Sequence, residues 1–250
     1  MSIIFKTLQH IPLEVLSATF NAAFKNYFVD ISFTPEQLAA KFKADGVRLN
    51  LSCGAFHEDK LIGFIFHGTD EQYENIKAYN GGTGVIPEYR GQHIPQQLYE
   101  FIFPVLRNAG VKKIILEVIT ENNKAINSYK KTGFSITRKV DCYKGSFTPK
   151  TTTEQVFQQK RIDPDVVKQF WNVVPTWQNS FISVARQQDS LIHLVVEKNT
   201  IPVGYLLLHS QNGKILQFAV HKEWRKQGIG SALFQSAKEI KEPSLILNMD

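Results

Sequence analysis

The sequence predicts a mixed α/β protein, with mixed sheets of the α+β type, in two consecutive domains of the same kind. The first observation is local: an apolar stretch, residues 215–220, runs into Arg225-x-x-Gly228-x-Gly230. Apolar positions then recur every three or four residues as far as residue 240, which is typical of one face of a helix. The second observation is that the same arrangement occurs twice in the chain.

The second copy lies earlier in the chain and keeps the register of the first. Residues 85–94 read VIPEYRGQHI and residues 220–229 read VHKEWRKQGI, so that Val, Glu, an aromatic ring, Arg, Gln and Ile recur. The flanking apolar pieces recur in the same order, namely residues 61–66 with 202–207 and residues 114–118 with 245–249.

The spacing of the two copies is 135 residues. Solenoid repeats have periods of about 20–50 residues, so this spacing indicates a domain duplication. The segment GSFTPKTTT, rich in turn-forming residues, is typical of a linker. We therefore predict domains over residues 1–145 and 154–250, with a linker over residues 146–153.

Length, composition and net charge narrow the classes of function that the chain can have. With 250 residues, 43% of them hydrophobic and 21% charged, the chain is long enough for two ordinary globular domains. The net charge of +6 suits an anionic ligand but is too dispersed for a nucleic-acid partner. Cys53 and Cys142 form no C-x-x-C motif, and neither a signal peptide nor a membrane-spanning run is visible. We expect a cytoplasmic protein without membrane or metal partners.

The elements of the first half follow from periodicity and from capping residues. Three glycines at residues 81–84 predict a bulge or a close approach in one strand, and Pro104 should bend the helix that contains it. The predicted order is strand 3–8, helix 13–24, helix 34–45, strands 49–56, 61–67 and 80–85, helix 94–109, strand 111–119, helix 122–132 and hairpin 135–144.

The second half repeats this order. A strand near residues 155–161 precedes a helix that begins at Asp163-Pro164. Strands are predicted at residues 191–197, 203–209, 214–220 and 245–249, with the glycine turn and its helix before the last of them.

A strand that turns through glycines into a helix presents unpaired backbone N–H groups at the positive end of the helix dipole. Such a turn binds phosphate, and glycine lets the phosphate approach the backbone closely. By itself the pattern is weak, but its repetition in the same context strengthens the interpretation.

A second motif, Asn122-x-x-Ala125-x-x-x-Tyr129-x-x-x-Gly133-Phe134, together with the glycine turn and the element order, resembles the GNAT superfamily of acyl-CoA N-acyltransferases in a tandem arrangement. The resemblance implies that the turn holds the pyrophosphate of acetyl-CoA and that the preceding strand pairs with the pantetheine arm. The residues it assigns to coenzyme A are Gly84, Val85, Ile86, Arg90, Gly91, Gln92, His93, Ile94, Gln96 and Asn122 in the first half, and Phe218, Ala219, Val220, Arg225, Lys226, Gln227, Gly228, Ile229 and Gly230 in the second.

The resemblance also implies an activity: transfer of an acetyl group from acetyl-CoA to a primary amine of a small molecule or peptide by direct attack. Tyr129 would protonate the departing CoA thiolate, and backbone N–H groups at residues 84–86 would hold the thioester carbonyl. Glu117 is a candidate base or, equally, a structural carboxylate. Tyr27 and Phe28 fall in the region that lines the acceptor pocket.

The two halves depart from the family pattern in different ways. The first has His93 and Pro95 where the family has glycines, while the second reaches Asp250 where the tyrosine helix would begin. A bare last strand would leave an unpaired edge, so we expect the natural chain to continue. Two alternatives stay open: catalysis in the second domain with the first as scaffold, or a non-catalytic acyl-CoA sensor. The acceptor and the oligomeric state stay open as well.

Overall fold

A computed structural model describes residues 2–70, 76–145, 148, 152–159, 161–241 and, for the backbone, 245–249. The chain divides into two compact units, Met1–Ile136 and Thr137–Asp250. None of the helices in the described part of the chain has the length and apolar character needed to cross a bilayer.

The first unit contains one five-stranded sheet in the order β1-β2-β3-β4-β5. All neighbouring strands are antiparallel except β4 and β5, which are parallel. Its elements are β1 (Ile4–Thr7), α1 (Leu13–Phe24), α2 (Pro35–Asp45), β2 (Cys53–His57), β3 (Lys60–Asp70), β4 (Lys77–Val85), α3 (Ile94–Asn108), β5 (Lys113–Leu116) and α4 (Asn123–Lys131).

Two helices cover opposite faces of this sheet because successive strand residues point to opposite sides. Phe64 stacks on Phe20 of α1, with 5.9 Å between ring centroids, while a Cβ on the neighbouring Gly63 would meet Ile94 of α3. The helices contribute fully buried apolar side chains, among them Leu16 and Leu98, to one core. α3 continues through Pro104 as a single helix.

The second unit repeats this plan around a six-stranded sheet in the order β6-β11-β10-β9-β8-β7. Here too the phosphate-type turn lies between an inner strand, β10, and the helix that follows it. The elements are β6 (Asp141–Tyr143), β7 (Phe157–Gln159), α5 (Pro164–Val167), α6 (Phe181–Arg186), β8 (Leu191–Lys198), β9 (Ile201–His209), β10 (Lys214–Val220), α7 (Ile229–Ile240) and β11 (Leu245–Met249).

The hairpin predicted over residues 135–144 is wrong. Residues 135–140 form no regular structure, and the strand that follows them, β6, pairs antiparallel with β11 of the second sheet. An open strand edge takes whichever segment lies beside it, and no local pattern specifies that partner. β11 therefore has partners on both sides, which removes the unpaired edge expected from the sequence.

His67 in β3 makes the stability of the first unit depend on pH. Its ring is fully buried, with Nδ1 3.1 Å from the carbonyl oxygen of Leu51, and burial lowers the pKa of His67 to about 4. The unfolded chain, with a pKa near 6.5, takes up the proton first, so the free energy of unfolding should fall as the pH drops through the window from 6.5 to 4. We expect a loss of about 2 kcal/mol between roughly pH 6.5 and pH 5.

Urea unfolding at several pH values measures this effect. A His67→Gln variant should show a smaller loss across the same window, whereas replacement of the exposed His10 by glutamine serves as the control and should leave the wild-type slope. Equal slopes for wild type and His67→Gln would contradict the prediction.

Candidate functional site

The turns that precede α3 and α7 have the same backbone geometry although their sequences differ. Gly91 and Lys226 lie at equivalent positions and both are left-handed, with φ of 82° and 62°. His93 and Gly228 are likewise equivalent: each is the N-cap of its helix, with φ of 58° and 91°. His93 thus adopts the conformation of the glycine it replaces, at the moderate cost of a non-glycine residue in that region.

Both turns leave backbone donors available at a helix N-terminus. Among the described residues, the N–H groups of Gln92, His93 and Ile94 make no backbone hydrogen bond, and the same holds for their equivalents in the second half, 227–229. The N–H of Gln96 is less available than the sequence suggested, because it donates to the carbonyl of His93 at 3.0 Å. Pro95, which has no N–H, corresponds to Gly230. An anion can therefore be held at either turn, with one more donor in the second half.

The backbone geometry shared by the two turns is stabilised in each half by the hydrogen bonds of one arginine. Nε of Arg90 donates to the carbonyl of Val85 at 3.2 Å, and its Nη2 donates to the carbonyl of Ala23 at 2.9 Å. Arg225 makes the equivalent bonds to Val220 at 3.0 Å and to Phe170 at 3.0 Å. Each arginine thus ties its turn to the end of the preceding strand, so part of the guanidinium predicted to bind phosphate is already occupied.

β4 carries the bulge predicted from the glycines at residues 81–84, and it lies at the first of them. The register with β3 shifts between Asn80 and Gly82, so that Gly81 is the extra residue. Residues 84–86, expected to offer a carbonyl donor, lie beyond the bulge, and the N–H of Ile86 donates to the carbonyl of Ile62 at 2.9 Å. That N–H is not free for a thioester, which corrects the interpretation from the sequence for Ile86.

The bulge lies where β4 and β5 separate. β5 pairs with β4 only over Lys77–Asn80, so the edge of β4 beyond Asn80 is not paired with β5. The second half repeats this arrangement: β10 pairs with β11 only at Lys214 and Ile215, and its register with β9 shifts immediately afterwards. Each sheet therefore opens at the residues that lead to its turn.

α4 places Tyr129 at the opening of the first sheet. The side chain of Asn122 caps the helix by accepting from the N–H of Ala125 at 3.1 Å. At the other end Gly133 is left-handed, with φ of 94°, and the N–H of Phe134 returns to the carbonyl of Tyr129 at 3.0 Å. These caps explain the Asn, Gly and Phe of the motif, since they start and stop the helix that carries the tyrosine.

Tyr129 is half-buried among aromatic rings and hydroxyl groups. Its ring makes edge contacts with Phe134 and Tyr99, at centroid distances of 5.7 Å and 6.4 Å. Burial raises the pKa of Tyr129 above its usual value, and the neighbouring Thr83 and Asn80 side chains offset only part of that rise. The phenol is therefore protonated at neutral pH, as a general acid must be.

Glu117 lies just beyond β5 rather than in the middle of a strand, because the strand ends at Leu116. Its side chain is exposed, and its Oε2 accepts from the hydroxyl of Tyr79 at 3.4 Å. Burial, followed by the negative charges of Glu117 and Asp45, raises the pKa of Tyr79 well above its usual range. The pair places a carboxylate and a buried phenol on the β4–β5 side of the opening.

Tyr27 and Phe28, in the segment after α1, border the same region. The hydroxyl of Tyr27 accepts from Nδ2 of Asn122 at 3.1 Å, so this segment touches the N-terminus of α4. Phe28 packs edge-on against Tyr27, at 5.3 Å between centroids, and stays 56% exposed. Phe28 is therefore largely open to solvent.

The second half contains a cavity of about 510 Å³ at its own opening. Residues 216–220 of β10 form one wall, and the segment around Trp171 forms another. The predicted residues that line it are Phe218, Ala219, Val220, Arg225, Lys226 and Gly230. This cavity fits a mostly apolar arm with an anionic group at the turn.

Sequence reasoning missed Asn80, Thr83 and Tyr99, which lie beside Tyr129, and Tyr79, which is hydrogen-bonded to Glu117. Asn80 and Thr83 flank the glycines of β4, a signal that pointed to the strand but not to its side chains. Tyr99 follows the apolar period of α3 and therefore looked like an ordinary core residue. In the described part of the chain, no group of three or more His, Cys, Asp or Glu residues could hold a metal ion.

Comparison with known proteins yields consistent matches. A profile described as "Acetyltransferase (GNAT) family" matches residues 16–134, and one described as "Acetyltransferase (GNAT) domain" matches residues 147–244. N-alpha-acetyltransferase 30 of Schizosaccharomyces pombe is 30% identical over 81 residues, which are 32% of this chain and 54% of that enzyme. The chain thus spans about half the length of this curated relative.

Two solved structures cover nearly the whole chain. A GCN5-related N-acetyltransferase from Sphaerobacter thermophilus matches with a TM-score of 0.70 and 13% identity, covering 99% of this chain and 87% of its own. A tandem GNAT protein from the clavulanic acid biosynthesis pathway matches with a TM-score of 0.68 and 11% identity, covering 98% and 89%. At these identities the likeness establishes the fold in both halves.

Proposed function

Because the chain belongs to the GNAT acetyltransferase family and carries two such domains in tandem, we propose that it transfers an acetyl group from acetyl-CoA to a primary amine. The amine nitrogen attacks the thioester carbonyl directly, the new C–N bond forms, and the C–S bond breaks. Tyr129 gives its proton to the departing thiolate, and the proton lost by the amine replaces it. No covalent enzyme intermediate is required.

The observation that carries this proposal is the position of Tyr129. Thr83, which lowers the pKa of its phenol, follows Asn80 by three residues and lies in the part of β4 that is not paired with β5. A thioester lying along that open edge would have its sulfur within reach of the phenol. The first half thus joins a phosphate-type turn, an open strand edge and a protonated tyrosine.

Glu117 supports the proposal as the proton acceptor. An alkyl ammonium has a pKa near 10, so the acceptor must lose a proton before it can attack. The exposed carboxylate of Glu117 takes that proton directly or through water, and its hydrogen bond with Tyr79 holds it at the sheet opening.

As the acceptor we propose a peptide with a free N-terminal amine, in preference to a small-molecule amine. The match with an N-alpha-acetyltransferase supports this choice. The exposed ring of Phe28, beside Tyr27 at the N-terminus of α4, offers an apolar contact for the first side chain of such a peptide.

A second candidate function places coenzyme A in the second half. The observation in its favour is the 510 Å³ cavity beside a turn with both glycines, Gly228 and Gly230. In this alternative the first domain is a scaffold, or the protein binds acyl-CoA without catalysis.

Matched charge reversals separate the two placements. Gln92 and Gln227 are equivalent, exposed turn residues, so a glutamate at either position adds one negative charge beside its own helix N-terminus. Acetyl-CoA is titrated calorimetrically into the full chain and into each variant. We expect Gln92→Glu to weaken the affinity by about fivefold to tenfold through repulsion of the diphosphate, with Gln227→Glu as the matched control.

Each outcome has a definite meaning. Weakening by Gln92→Glu alone supports the first half as the coenzyme site. Weakening by Gln227→Glu alone overturns that placement and supports the second candidate. Acetyl-CoA binding that neither variant alters would remove both turns from consideration.

A further inference from the structure

Behind Tyr129 lies a connected set of polar side chains in an otherwise apolar core. Nδ2 of Asn80 is 2.7 Å from Oγ1 of Thr83 and 2.6 Å from the hydroxyl of Tyr99. Asn80 is 5% exposed and Tyr99 is 1% exposed. Thr83 and Asn80 also lie beside the phenol of Tyr129, where their hydrogen-bonding groups lower its pKa.

The direction of these hydrogen bonds follows from the amide. Oδ1 of Asn80 accepts from the N–H of Gly82 at 2.9 Å, so the side-chain nitrogen must be the donor toward Thr83 and Tyr99. Tyr99 and Thr83 thus both accept from Asn80. Thr83 can in turn give its hydrogen to the oxygen of Tyr129. Asn80 and Thr83 therefore both present donors on the side of the proposed acid.

The second half shows that the fold does not require these polar side chains. The residues equivalent to Asn80, Thr83 and Tyr99 are Ile215, Phe218 and Phe234. Phe218 and Phe234 fill the same place with an edge contact at 4.9 Å between ring centroids, and Ile215 is fully buried. Since apolar residues satisfy the packing there, the polar set of the first half needs a functional explanation.

We propose that Asn80, Thr83 and Tyr99 are positioning residues that orient Tyr129 and stabilise its phenolate once its proton has passed to the CoA thiolate. This inference rests on the proposed role of Tyr129 as the general acid. It also assigns the chemistry to the first half on grounds independent of the phosphate turn, because the second half has no hydroxyl at the corresponding positions.

The physical basis is that opposing effects act on the pKa of the Tyr129 hydroxyl. Burial and the neighbouring Tyr27 raise the pKa of Tyr129. The buried phenol of Tyr79 is also close enough to interact electrostatically with Tyr129. Glu117 adds a negative charge next to Tyr79. Donors from Thr83 and Asn80 offset part of this rise, because a hydrogen bond to a charged acceptor is about twice as strong as one between neutral groups.

The test follows the ionisation of Tyr129 without relying on turnover. In the full chain, all tyrosines are replaced by 3-fluorotyrosine, whose phenol ionises at lower pH, and the Tyr129 signal is assigned in fluorine NMR spectra with Tyr129→Phe. Thr83→Val removes the hydroxyl of residue 83 at nearly constant volume, and Thr83→Ser restores it. Tyr143→Phe, which deletes an exposed phenol of the second unit, is the control for the labelled protein.

We expect Thr83→Val to raise the pH at which Tyr129 ionises by about one pH unit, and Thr83→Ser to return it to the wild-type value. With acetyl-CoA and a peptide amine, Thr83→Val should lower kcat about tenfold while KM for acetyl-CoA changes little. An unchanged ionisation of Tyr129 in a folded Thr83→Val protein would overturn the inference. If the ionisation shifts as expected but Tyr129→Phe turns over normally, the donor role of Thr83 stands and the acid role fails.

Discussion

Replacement of Tyr129 by phenylalanine should reduce kcat for acetyl transfer by about 10²–10⁴-fold, the usual contribution of a general acid. The ring contacts with Phe134 and Tyr99 need no hydroxyl, so the helix should keep its place and acetyl-CoA should bind with an unchanged Kd. The measurement is steady-state thiol release from acetyl-CoA with a panel of peptides that have free N-termini, together with calorimetry of acetyl-CoA binding.

Tyr143→Phe provides the matched control, because it removes the same group from an exposed position that is not part of the site. Its kcat should equal that of the wild type. A Tyr129→Phe protein with wild-type kcat would show that another group protonates the thiolate. Loss of acetyl-CoA binding in that variant would instead indicate that the hydroxyl holds the coenzyme.

Gly68→Ala should destabilise the first unit by about 3 kcal/mol. A Cβ at Gly68 would lie 2.1 Å from the carbonyl oxygen of Asp45, a backbone atom that cannot rotate away. The contact exists because the end of α2 is bonded directly onto β3, through Thr69 to Gly46 at 3.1 Å and Arg48 to His67 at 2.9 Å. The midpoint of urea unfolding, followed by circular dichroism, measures the loss.

Gly145→Ala is the control for this experiment, since a Cβ there would meet nothing within 4 Å. Its unfolding midpoint should match that of the wild type. The Gly68 variant should also lose activity in its folded fraction, because Asp45 lies beside the bulge of β4 at Gly81. Wild-type stability of Gly68→Ala would show that α2 can move away from the sheet without cost.

Much of the site was predictable because its elements are specified locally. The N-cap at Asn122 and the left-handed Gly133 fix the ends of α4, and both were visible as residue types at fixed spacing. The turn at residues 90–93 was also recognisable. That His93 keeps the backbone conformation of Gly228 was not, since residue type alone favours glycine there.

The environment of Tyr129 was not predictable, for a physical reason. Its partners Asn80, Thr83 and Tyr99 come from β4 and α3, and each has a local pattern that reads as ordinary strand or helix. Hydrogen bonds between residues far apart in sequence leave no period in the chain. The bond between Tyr79 and Glu117 likewise joins residues 38 positions apart.

By itself the sequence determined the duplication and most of the order of the helices and strands, because apolar period, caps and glycine turns act within a few residues. Its motifs also resembled those of the family to which the chain belongs. Only the tertiary structure decided that β6 completes the second sheet, that Glu117 stands outside its strand, and that Asn80 and Thr83 present donors beside Tyr129. These features depend on which strand edge or side chain lies opposite. Which residues lie opposite one another is determined only when the chain is folded.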